Sequence, residues 1–568
     1  CAPPVFTPAP FTAPKQPLAG GRTYIEVLAA ALSATVKVNG TVATTHEGGY
    51  SIFRADVTDL CHDGENELTI EVSNEDTPSM YPSSADFTFY GGLYRGVNLI
   101  SVPNTHFDLD YFGGPGIKVT PKPAADGGAT FEIKSYVTNP DENFTVQYSI
   151  EDPYGFEVAS ATRQADNTAV TLYVPDAELW SMDEPNLYTV IARLQRCNES
   201  YDDLYVNVGV RSYTVTPDGG FSINGVPTPL RGVSRHQDRL YKGNALSIDD
   251  HYEDAQIIKE VGANTIRLAH YQHSQDFYNA CDSIGFAVWA EIPFISVFKP
   301  GEDAHAHCRR EMTELIIQNY NHPSIMFWGI SNEILIGGIS QELVERHHDL
   351  QKLCKELDPT RFTTIAHVSH TPTDGPMHHI TDLESYNHYF GWYGGKIEDN
   401  GPCWTSSTPS TPISVLAFRN TAAKASSTGT AAPPSARIIP RNTRPYTMNI
   451  WHRPLRIVPG SGPAMYGTCS TLAAQPATRA AWQAATIRAL LPLTAKPART
   501  ASTCTRHTGP RTRWCTSTAA AMPSAPEKPP NQGLLQSGLR DPVPERQGSW
   551  HPAGPPRVPL YRGAGRRL

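Results

Sequence analysis

The sequence predicts two successive β-sandwiches followed by a (β/α)₈ TIM barrel, which this chain leaves incomplete. Three observations carry this prediction. Short runs of alternating apolar and polar residues fill the chain up to about residue 212, which is typical of antiparallel sandwiches. From Phe221 onwards, strand-like and helix-like runs alternate, which favours parallel βα units. That alternation stops near residue 400, before eight strands have passed.

We divide the chain into four segments on these patterns. Residues 1–105 and 106–212 each hold short alternating runs, exemplified by Glu67–Val72 and Ala129–Ile133. The second segment has the length of an immunoglobulin-like sandwich. Residues 213–400 supply the first six barrel strands, and residues 401–568 fit none of these folds.

Six apolar runs of strand length mark the barrel, and helical patterns separate them. One helix is predicted to open at Ile248 with acidic residues in its first turn, and another to run through Arg310–Tyr320. The predicted strands are Leu230–Val233, Thr265–Leu268, Phe286–Ala290, Ile325–Ile330, Phe362–Ala366 and Ile380–Tyr386.

Polar residues stand at or near the ends of these strands, and catalytic groups of such barrels lie at that edge. The sharpest case is the fourth strand, which runs directly into Asn332 and Glu333. Glu333 is a candidate general acid/base with Asn332 as a neighbour that orients a sugar; the structural alternative is a carboxylate that caps the next helix. The polar residues after the other strands include Arg235, His236, Asp238, Arg267, His270, Glu291, His367, Asn387 and Tyr389.

Composition excludes some functions and exposes one anomaly. No apolar run is long enough to cross a membrane, and the ten cysteines form no C-x-x-C pair that would indicate a zinc site. The first 400 residues hold 53 of the 56 acidic residues and 26 of the 47 basic ones. From Asn400 to Ala525 there is no carboxylate at all. The body therefore carries a formal charge of −27 and the tail +18.

Six short segments occur along the chain in this order: Gly91–Arg95, Leu179–Tyr188, Gly209–Arg211, Leu230–His236, Arg267–Tyr271 and Ser331–Glu333. Taken together, they resemble glycoside hydrolase family 2, the β-galactosidase and β-glucuronidase family. The match covers roughly residues 18–400 and implies a jelly-roll galactose-binding-like domain, an immunoglobulin-like sandwich and a TIM barrel.

The resemblance implies a retaining β-glycosidase that uses no cofactor. Glu333 would be the acid/base and Asn332 would bind the sugar 2-hydroxyl. His270, Arg235 and His236 would hold sugar hydroxyls or the frame of the site. Tyr389 and Trp392 would stack on the sugar or serve as packing. Some relatives bind magnesium through a Glu and a His two residues later; here Pro293 replaces that His, so we predict no metal.

A retaining enzyme also needs a nucleophilic carboxylate, which the family places at the end of the seventh strand. The expected position is near Arg419 and Asn420, where this chain has no acidic residue. We hypothesise that the tail is a frameshifted reading that begins near Gly401–Cys403. With permitted codons, Leu416–Thr430 read from each wobble base gives GVPEYGCEGIINWH, whose first glutamate codon spans residues 419 and 420.

The hypothesis also explains why acidic residues vanish from the tail, since their codons would be out of register. The alternative is a natural basic arm that is disordered or binds nucleic acid. The nucleotide sequence of the locus decides: an uninterrupted frame through the Arg419 codon, in the given phase, would rule the frameshift out.

At this stage the favoured function is an exo-acting β-galactosidase whose partner is a β-linked saccharide, with no nucleic acid or membrane partner. A β-glucuronidase and a non-catalytic carbohydrate-binding protein are the alternatives. The missing nucleophile predicts that this chain is inactive. The sequence leaves open whether the chain forms a homo-oligomer. A cytoplasmic location is favoured, although the start at Cys1 is compatible with a lost signal peptide.

Overall fold

The computed structural model describes residues 5–12, 20–216, 219–372, 374–390, 395–396, 415–421 and 566–567. The first unit is a sandwich of two four-stranded antiparallel sheets. In β4, every second residue is buried, as the alternating sequence pattern predicts. Its strands are β1 (Val5–Thr12), β2 (Arg22–Val27), β3 (Ala30–Ala31), β4 (Ser33–Val38), β5 (Thr41–Glu47), β6 (Phe53–Asp56), β7 (Glu65–Ser73), β8 (Gly92–Leu93) and β9 (Val97–Val102).

The second unit is another antiparallel sandwich, with one three-stranded and one four-stranded sheet. Phe131, Ile133, Val146 and Ile150 are among the buried residues that fill the space between the sheets. Its strands are β10 (His106–Phe107), β11 (Ile117–Pro123), β12 (Ala129–Ser135), β13 (Val137–Thr138), β14 (Phe144–Glu151), β15 (Glu157–Gln164), β16 (Val170–Val174), β17 (Tyr188–Arg196) and β18 (Glu199–Val208).

The third unit is a parallel sheet of seven neighbouring strands with helices between the early ones. A small antiparallel sheet, β19 (Tyr213–Thr216), β20 (Gly220–Ile223) and β21 (Val226–Pro227), precedes it. The parallel strands are β22 (Gly232–Arg235), β23 (Thr265–Leu268), β24 (Ala287–Glu291), β25 (Ile325–Asn332), β26 (Phe362–Val368), β27 (Leu383–His388) and β28 (Val415–Thr421).

The helices α1 (Ile248–Glu260), α2 (Gln275–Ile284), α3 (Glu302–Asn319) and α4 (Gln341–Leu357) cover the outer face of this sheet. The acidic first turn of α1 forms as predicted, because Ser247 and Asp250 make a reciprocal capping box. All eight residues of β25 are buried, since helices cover one face and the barrel interior covers the other. None of the described helices is long and apolar enough to cross a bilayer.

The predicted fold class, including an incomplete barrel, is confirmed, but the sheet has one strand more than the six predicted. The described residues supply seven parallel strands, where a closed barrel of this type has eight. The seventh, β28, pairs with β27 and comes from the tail segment, in which we predicted no barrel strand. A last short strand, β29 (Arg566–Arg567), pairs with β9 of the first unit.

A buried ion pair fastens the amino-terminal edge of the parallel sheet. Arg361 and Asp358 are 4% and 0% exposed, and the Nη1 of Arg361 lies 2.7 Å from the Oδ2 of Asp358. Arg361 also donates to the backbone carbonyls of Ile325 and Tyr320, and Trp328 Nε1 donates to Asp358 at 2.9 Å. Although burial opposes ionisation, the Arg361 charge and the hydrogen bonds from Thr360 and Trp328 lower the pKa of Asp358 to about 2.

We expect Asp358→Asn to destabilise the barrel by about 3 kcal/mol, because it leaves the buried Arg361 charge unpaired. The depressed pKa means that the wild-type advantage is present above the usual carboxyl pKa and fades as the pH falls towards 2. Urea unfolding followed by tryptophan fluorescence at several pH values measures both effects. Glu356→Gln, an exposed carboxylate on α4, is the matched control. Equal unfolding midpoints for the two variants would contradict the assignment.

Candidate active site

Glu333 stands at the carboxyl-terminal edge of the sheet, directly after β25. It is partly buried, and its backbone is left-handed with φ 50° and ψ 28°. For a residue other than glycine this conformation costs on the order of 1 kcal/mol and requires support from its surroundings. The backbone N–H of Glu333 gives part of that support by donating to the carbonyl of Ala366 on β26 at 2.8 Å. The predicted cap role is absent, since no side-chain bond from Glu333 to the following turn is found.

A fully buried ion pair lies beneath Glu333 in the barrel interior. Arg267 of β23 and Glu291 of β24 are both 0% exposed, and two parallel hydrogen bonds of 3.0 Å join them. Such a two-point pair fixes the plane of the guanidinium as well as its position. The neighbouring strand makes room with Gly329, where a Cβ would come within 2.5 Å of Cβ of Glu291 and 2.3 Å of Nε1 of Trp289.

The remaining donors of Arg267 hold two asparagine side chains next to Glu333. Nη2 donates to Oδ1 of Asn332 at 2.7 Å, and Nη1 donates to Oδ1 of Asn387 at 3.1 Å. Asn387, on β27, in turn donates from Nδ2 to Oε1 of Glu333 at 2.8 Å and to Oδ1 of Asn332 at 2.9 Å. The carboxyl groups of Glu291 and Glu333 are therefore linked through one guanidinium and one amide.

The same pocket is bordered by two histidines of the barrel, His236 and His270, and by Phe87 of the first domain. His270 places Nδ1 2.5 Å from Oε1 of Glu291, and its ring meets that of His236 edge-on at 5.4 Å. His236 Nδ1 lies 3.1 Å from the hydroxyl of Tyr271. Phe87, from the jelly-roll-like unit, lies 4.9 Å from His236 and 6.0 Å from His270 between ring centroids. The first domain thus forms part of the pocket wall.

Burial shifts the ionisation of Glu333 towards its protonated form. Burial raises the pKa of Glu333 above its usual value, although the Asn387 hydrogen bond and the charges of His270 and Arg267 oppose the rise. Burial, together with the charges of His270 and Arg267, holds the pKa of His236 well below its usual range. The pocket therefore offers one carboxylic acid that can give and take a proton, beside a neutral imidazole and two amides.

The structure brings four of the predicted site residues together and separates Arg235 from them. Glu333, Asn332, His270 and His236 converge as described above. Arg235 is fully buried, and its guanidinium binds Asp254 at 2.8 Å and two histidines while lying over Phe277. Of the two roles predicted for Arg235, holding a sugar hydroxyl or holding the frame of the site, these contacts favour the second, because its donors already have protein partners.

The other predictions fall at the margin of the described residues. Tyr389 follows β27 and is partly buried, whereas Trp392 lies outside the described residues. The expected nucleophile positions lie on β28, where the backbone register sets Arg419 opposite Tyr386 and Asn420 opposite Asn387. Position 420 is thus at the level of the residue that holds Glu333.

The sequence analysis names Arg267, Glu291 and Asn387 among the strand-end polar residues but assigns none of them a role in the site. Each stands near the end of a predicted strand, so the signal was present: it is the same strand-end polarity that marked Glu333. The local pattern does not show that the ends of these three strands lie close together in the folded chain.

Comparisons with known proteins agree with this architecture domain by domain. The family model described as the sugar binding domain of glycosyl hydrolases family 2 matches residues 2–103, the family's middle domain matches 115–211, and its TIM barrel domain matches 215–401. A solved structure that is 71% identical has the same fold over 82% of this chain and 74% of its own, with a TM-score of 0.78.

The chain belongs to glycoside hydrolase family 2. That solved structure is described as an FMN-binding β-glucuronidase from Facaelibacterium prausnitzii L2-6. A β-glucuronidase of Bacteroides fragilis is 34% identical over 64% of this chain and 54% of its own length. A β-galactosidase of Thermoanaerobacter pseudethanolicus is 28% identical over 67% and 50%. This family 2 chain therefore spans about half the length of the curated relatives it matches.

We expect Arg267→Lys to dismantle the site while the rest of the barrel stays folded. An ammonium group cannot span both oxygens of Glu291 and also reach Asn332 and Asn387. The variant should therefore misplace both asparagine side chains and lower the free energy of unfolding by about 2 kcal/mol or more. Thermal unfolding of the variant measures the loss, and Arg231→Lys, an exposed arginine of the same barrel, is the control. If both lysine variants unfold at the same temperature, Arg267 does not hold the site together.

Proposed function

We propose that the intact gene product hydrolyses terminal β-D-glucuronides with retention of anomeric configuration, using Glu333 as general acid/base. The observation that carries the proposal is the state of Glu333: a partly buried carboxyl with a raised pKa, aimed by Asn387 at the carboxyl-terminal edge of the barrel. Membership of the family supplies the reaction class, and the geometry supplies the residue.

The double use of Glu333 follows from its surroundings. In the first step the protonated carboxyl gives its proton to the glycosidic oxygen as the aglycone leaves. In the second step the carboxylate takes a proton from water as the water oxygen attacks the anomeric carbon, and the bond from that carbon to the enzyme's nucleophilic carboxylate breaks. A raised pKa keeps the acid form available for the first step, and the amide of Asn387 stabilises the anion that the first step leaves behind. Asn332, whose Oδ1 accepts from Arg267, is the residue to which we assign the sugar 2-hydroxyl.

The partner carboxylate is the part that this chain lacks. A retaining enzyme needs it about 5–5.5 Å from the acid/base. The register of β28 supports residues 419 and 420 as its place, since Asn420 is opposite Asn387. Neither arginine nor asparagine can act as the nucleophile. The match of the TIM barrel family model ends at residue 401, where the hypothesised frameshift begins. We therefore propose that this chain is inactive and that the restored reading frame encodes an active enzyme.

The choice of sugar rests on the relatives, and it moves the preference from galactosides to glucuronides. The relatives at 71% and 34% identity are named β-glucuronidases, and the named β-galactosidases are 28% to 30% identical. β-Galactosidase stays the second candidate because a relative with that name matches 67% of this chain. The FMN in the name of the 71% identical protein is that protein's ligand. Glycosyl transfer between two carboxylates moves no electrons to a carrier, so we assign FMN no part in the reaction.

Paired assays separate the two sugars and test the frameshift together. With the frame restored, we expect kcat/KM for 4-nitrophenyl β-D-glucuronide to exceed that for the galactoside by at least about 100-fold, because a site built for a carboxylate leaves polar groups unpaired around a hydroxymethyl group. The chain with Arg419 and Asn420 should turn over neither substrate. Turnover by this unaltered chain would refute the missing-nucleophile proposal, and a preference for the galactoside would establish the second candidate.

Replacement of Glu333 tests its assigned role in the restored enzyme. We expect Glu333→Ala to lower kcat/KM by about 10²–10⁴-fold for a glucuronide with a poor leaving group, and by less for the nitrophenyl substrate, whose leaving group needs no proton. The fall in activity as the pH rises through the pKa of Glu333 should disappear. Added azide should restore turnover and yield the β-glycosyl azide, since azide attacks without a base. Glu356→Ala is the control; uniform losses without azide rescue would exclude Glu333 as acid/base.

Binding distinguishes the enzyme from a non-catalytic carbohydrate-binding protein. The latter predicts saturable glucuronide binding by the restored chain without any hydrolysis. Product formation in the same sample would exclude it.

A further inference from the structure

Two histidines and a glutamate form a second polar cluster on the other face of the sheet. His367 lies on β26, Glu384 on β27, and His378 on the connection between these strands. Ala366 and Leu383 belong to the inner layer of the barrel, so their neighbours His367 and Glu384 lie on the helix-facing side. All three cluster residues are buried, with exposures of 2%, 1% and 4% for His367, Glu384 and His378. The cluster is thus separate from the pocket of Glu333.

The three side chains aim one ligand atom each at a common point. Nε2 of His367 is 2.7 Å from Oε2 of Glu384, Nδ1 of His378 is 3.8 Å from the same oxygen, and the three atoms all lie within 4.8 Å of one another. In a tetrahedral zinc site with bonds of about 2.0–2.1 Å, the ligand atoms are about 3.3 Å apart. Two of the three separations, 2.7 and 3.8 Å, lie on either side of that value and the third is at most 4.8 Å, so small side-chain shifts would make room for an ion.

His378 supplies the observation that a plain hydrogen-bonded pair does not explain. Its Nδ1 is buried and has no hydrogen-bond partner, although it points at the carboxylate of Glu384. A buried polar atom without a hydrogen-bond partner lowers the free energy of unfolding by about 1–3 kcal/mol. A His367–Glu384 pair alone would be satisfied without this third group. The rings of His367 and His378 are stacked 4.6 Å apart at 13°, which keeps both nitrogens on the same side of the carboxylate.

Outer contacts orient two of the three groups as they do around known metal ions. The other ring nitrogen of His378, Nε2, lies 2.9 Å from the hydroxyl of Tyr386. The second oxygen of Glu384, Oε1, accepts a hydrogen bond of 2.8 Å from the backbone N–H of His379. Second partners of this kind fix the tautomer of a ligating histidine and the direction of a ligating carboxylate.

We propose that His367, His378 and Glu384 bind a divalent transition-metal ion, with Zn²⁺ the best fit to two imidazoles and one carboxylate. Nδ1 of His378 and Nε2 of His367 are the nitrogen ligands, and the fourth position takes water. The ion fastens the connection that carries His378 onto the sheet; no α-helix forms in this connection among the described residues of 369–382. The site is independent of the glycosidase proposal, and the failure of either leaves the other standing.

Metal titration of the full, untagged chain after EDTA treatment tests the site. We expect one Zn²⁺ per chain by elemental analysis, and a tetrahedral Co²⁺ absorption spectrum that Zn²⁺ displaces. The thermal midpoint should rise on metal addition, because an ion that binds the folded chain stabilises it. A stripped chain that takes up no Zn²⁺ and gives no such Co²⁺ spectrum would overturn the proposal and leave only a buried hydrogen-bonded cluster.

His378→Gln is the discriminating variant. The glutamine amide can occupy the place of Nε2 and keep the bond to Tyr386, but it removes the ligand at Nδ1. We expect the Kd for Zn²⁺ to rise at least about 100-fold, and Tyr386→Phe, which removes only an outer contact, to raise it about 10- to 100-fold. His348→Gln, on the exposed face of α4, should change nothing.

Equal Zn²⁺ affinity of His378→Gln and His348→Gln would place the ion elsewhere and overturn the assignment. Circular dichroism checks that each variant folds. If His378→Gln unfolds, Glu384→Gln has the same shape as the wild-type side chain and carries the same test, since the amide loses the charged ligand oxygen.

Discussion

The buried ion pair of Arg267 and Glu291 is the constraint on which the candidate site depends. Two charges with no access to water are tolerated only when their hydrogen-bonding capacity is nearly exhausted. Arg267 meets that condition by binding Glu291 twice and the amides of Asn332 and Asn387 once each. The same bonds fix the position of Glu333, because Asn387 has only one orientation that serves both Arg267 and the carboxyl of Glu333. Stability and chemical geometry are therefore set by one network.

The polar groups are divided between the two faces of the parallel sheet. Toward the barrel interior, Arg267 and the two asparagines form the hydrogen-bond network beside Glu333. Toward the helices lie His367, His378 and Glu384, and Nδ1 of His378 has no hydrogen-bond partner there. Successive residues of one strand serve both: Glu384 and Tyr386 face one way, and Asn387 contacts Glu333 on the other. A strand that carries polar residues on both faces needs partners on both, and β27 has them.

Strand β28 belongs both to the parallel sheet and to the tail segment that has no acidic residues. A strand forms beside β27 from residues of the carboxylate-free segment, and its positions 419 and 420 stand opposite Tyr386 and Asn387. An apolar run such as Val415–Phe418 satisfies the hydrogen bonding of an open sheet edge, whatever chemistry follows it. The backbone can thus resemble the family's seventh strand while the residues at the proposed nucleophile position, Arg419 and Asn420, are not carboxylates.

Strand periodicity and strand-end polarity are local properties, so the sequence alone predicts the two sandwiches, the parallel strands as far as β27, and Glu333 with Asn332 as candidate site residues. Which strand-end residues contact one another is visible only in the folded chain. Arg235 and Arg267 occupy similar places in the sequence, yet one turns to Asp254 and Phe277 and the other to Glu291 and the asparagines. The cluster of His367, His378 and Glu384 likewise has no short ligand spacing to reveal it. Contacts between residues far apart in the chain arise from how the strands close around a common axis, and no local pattern records that.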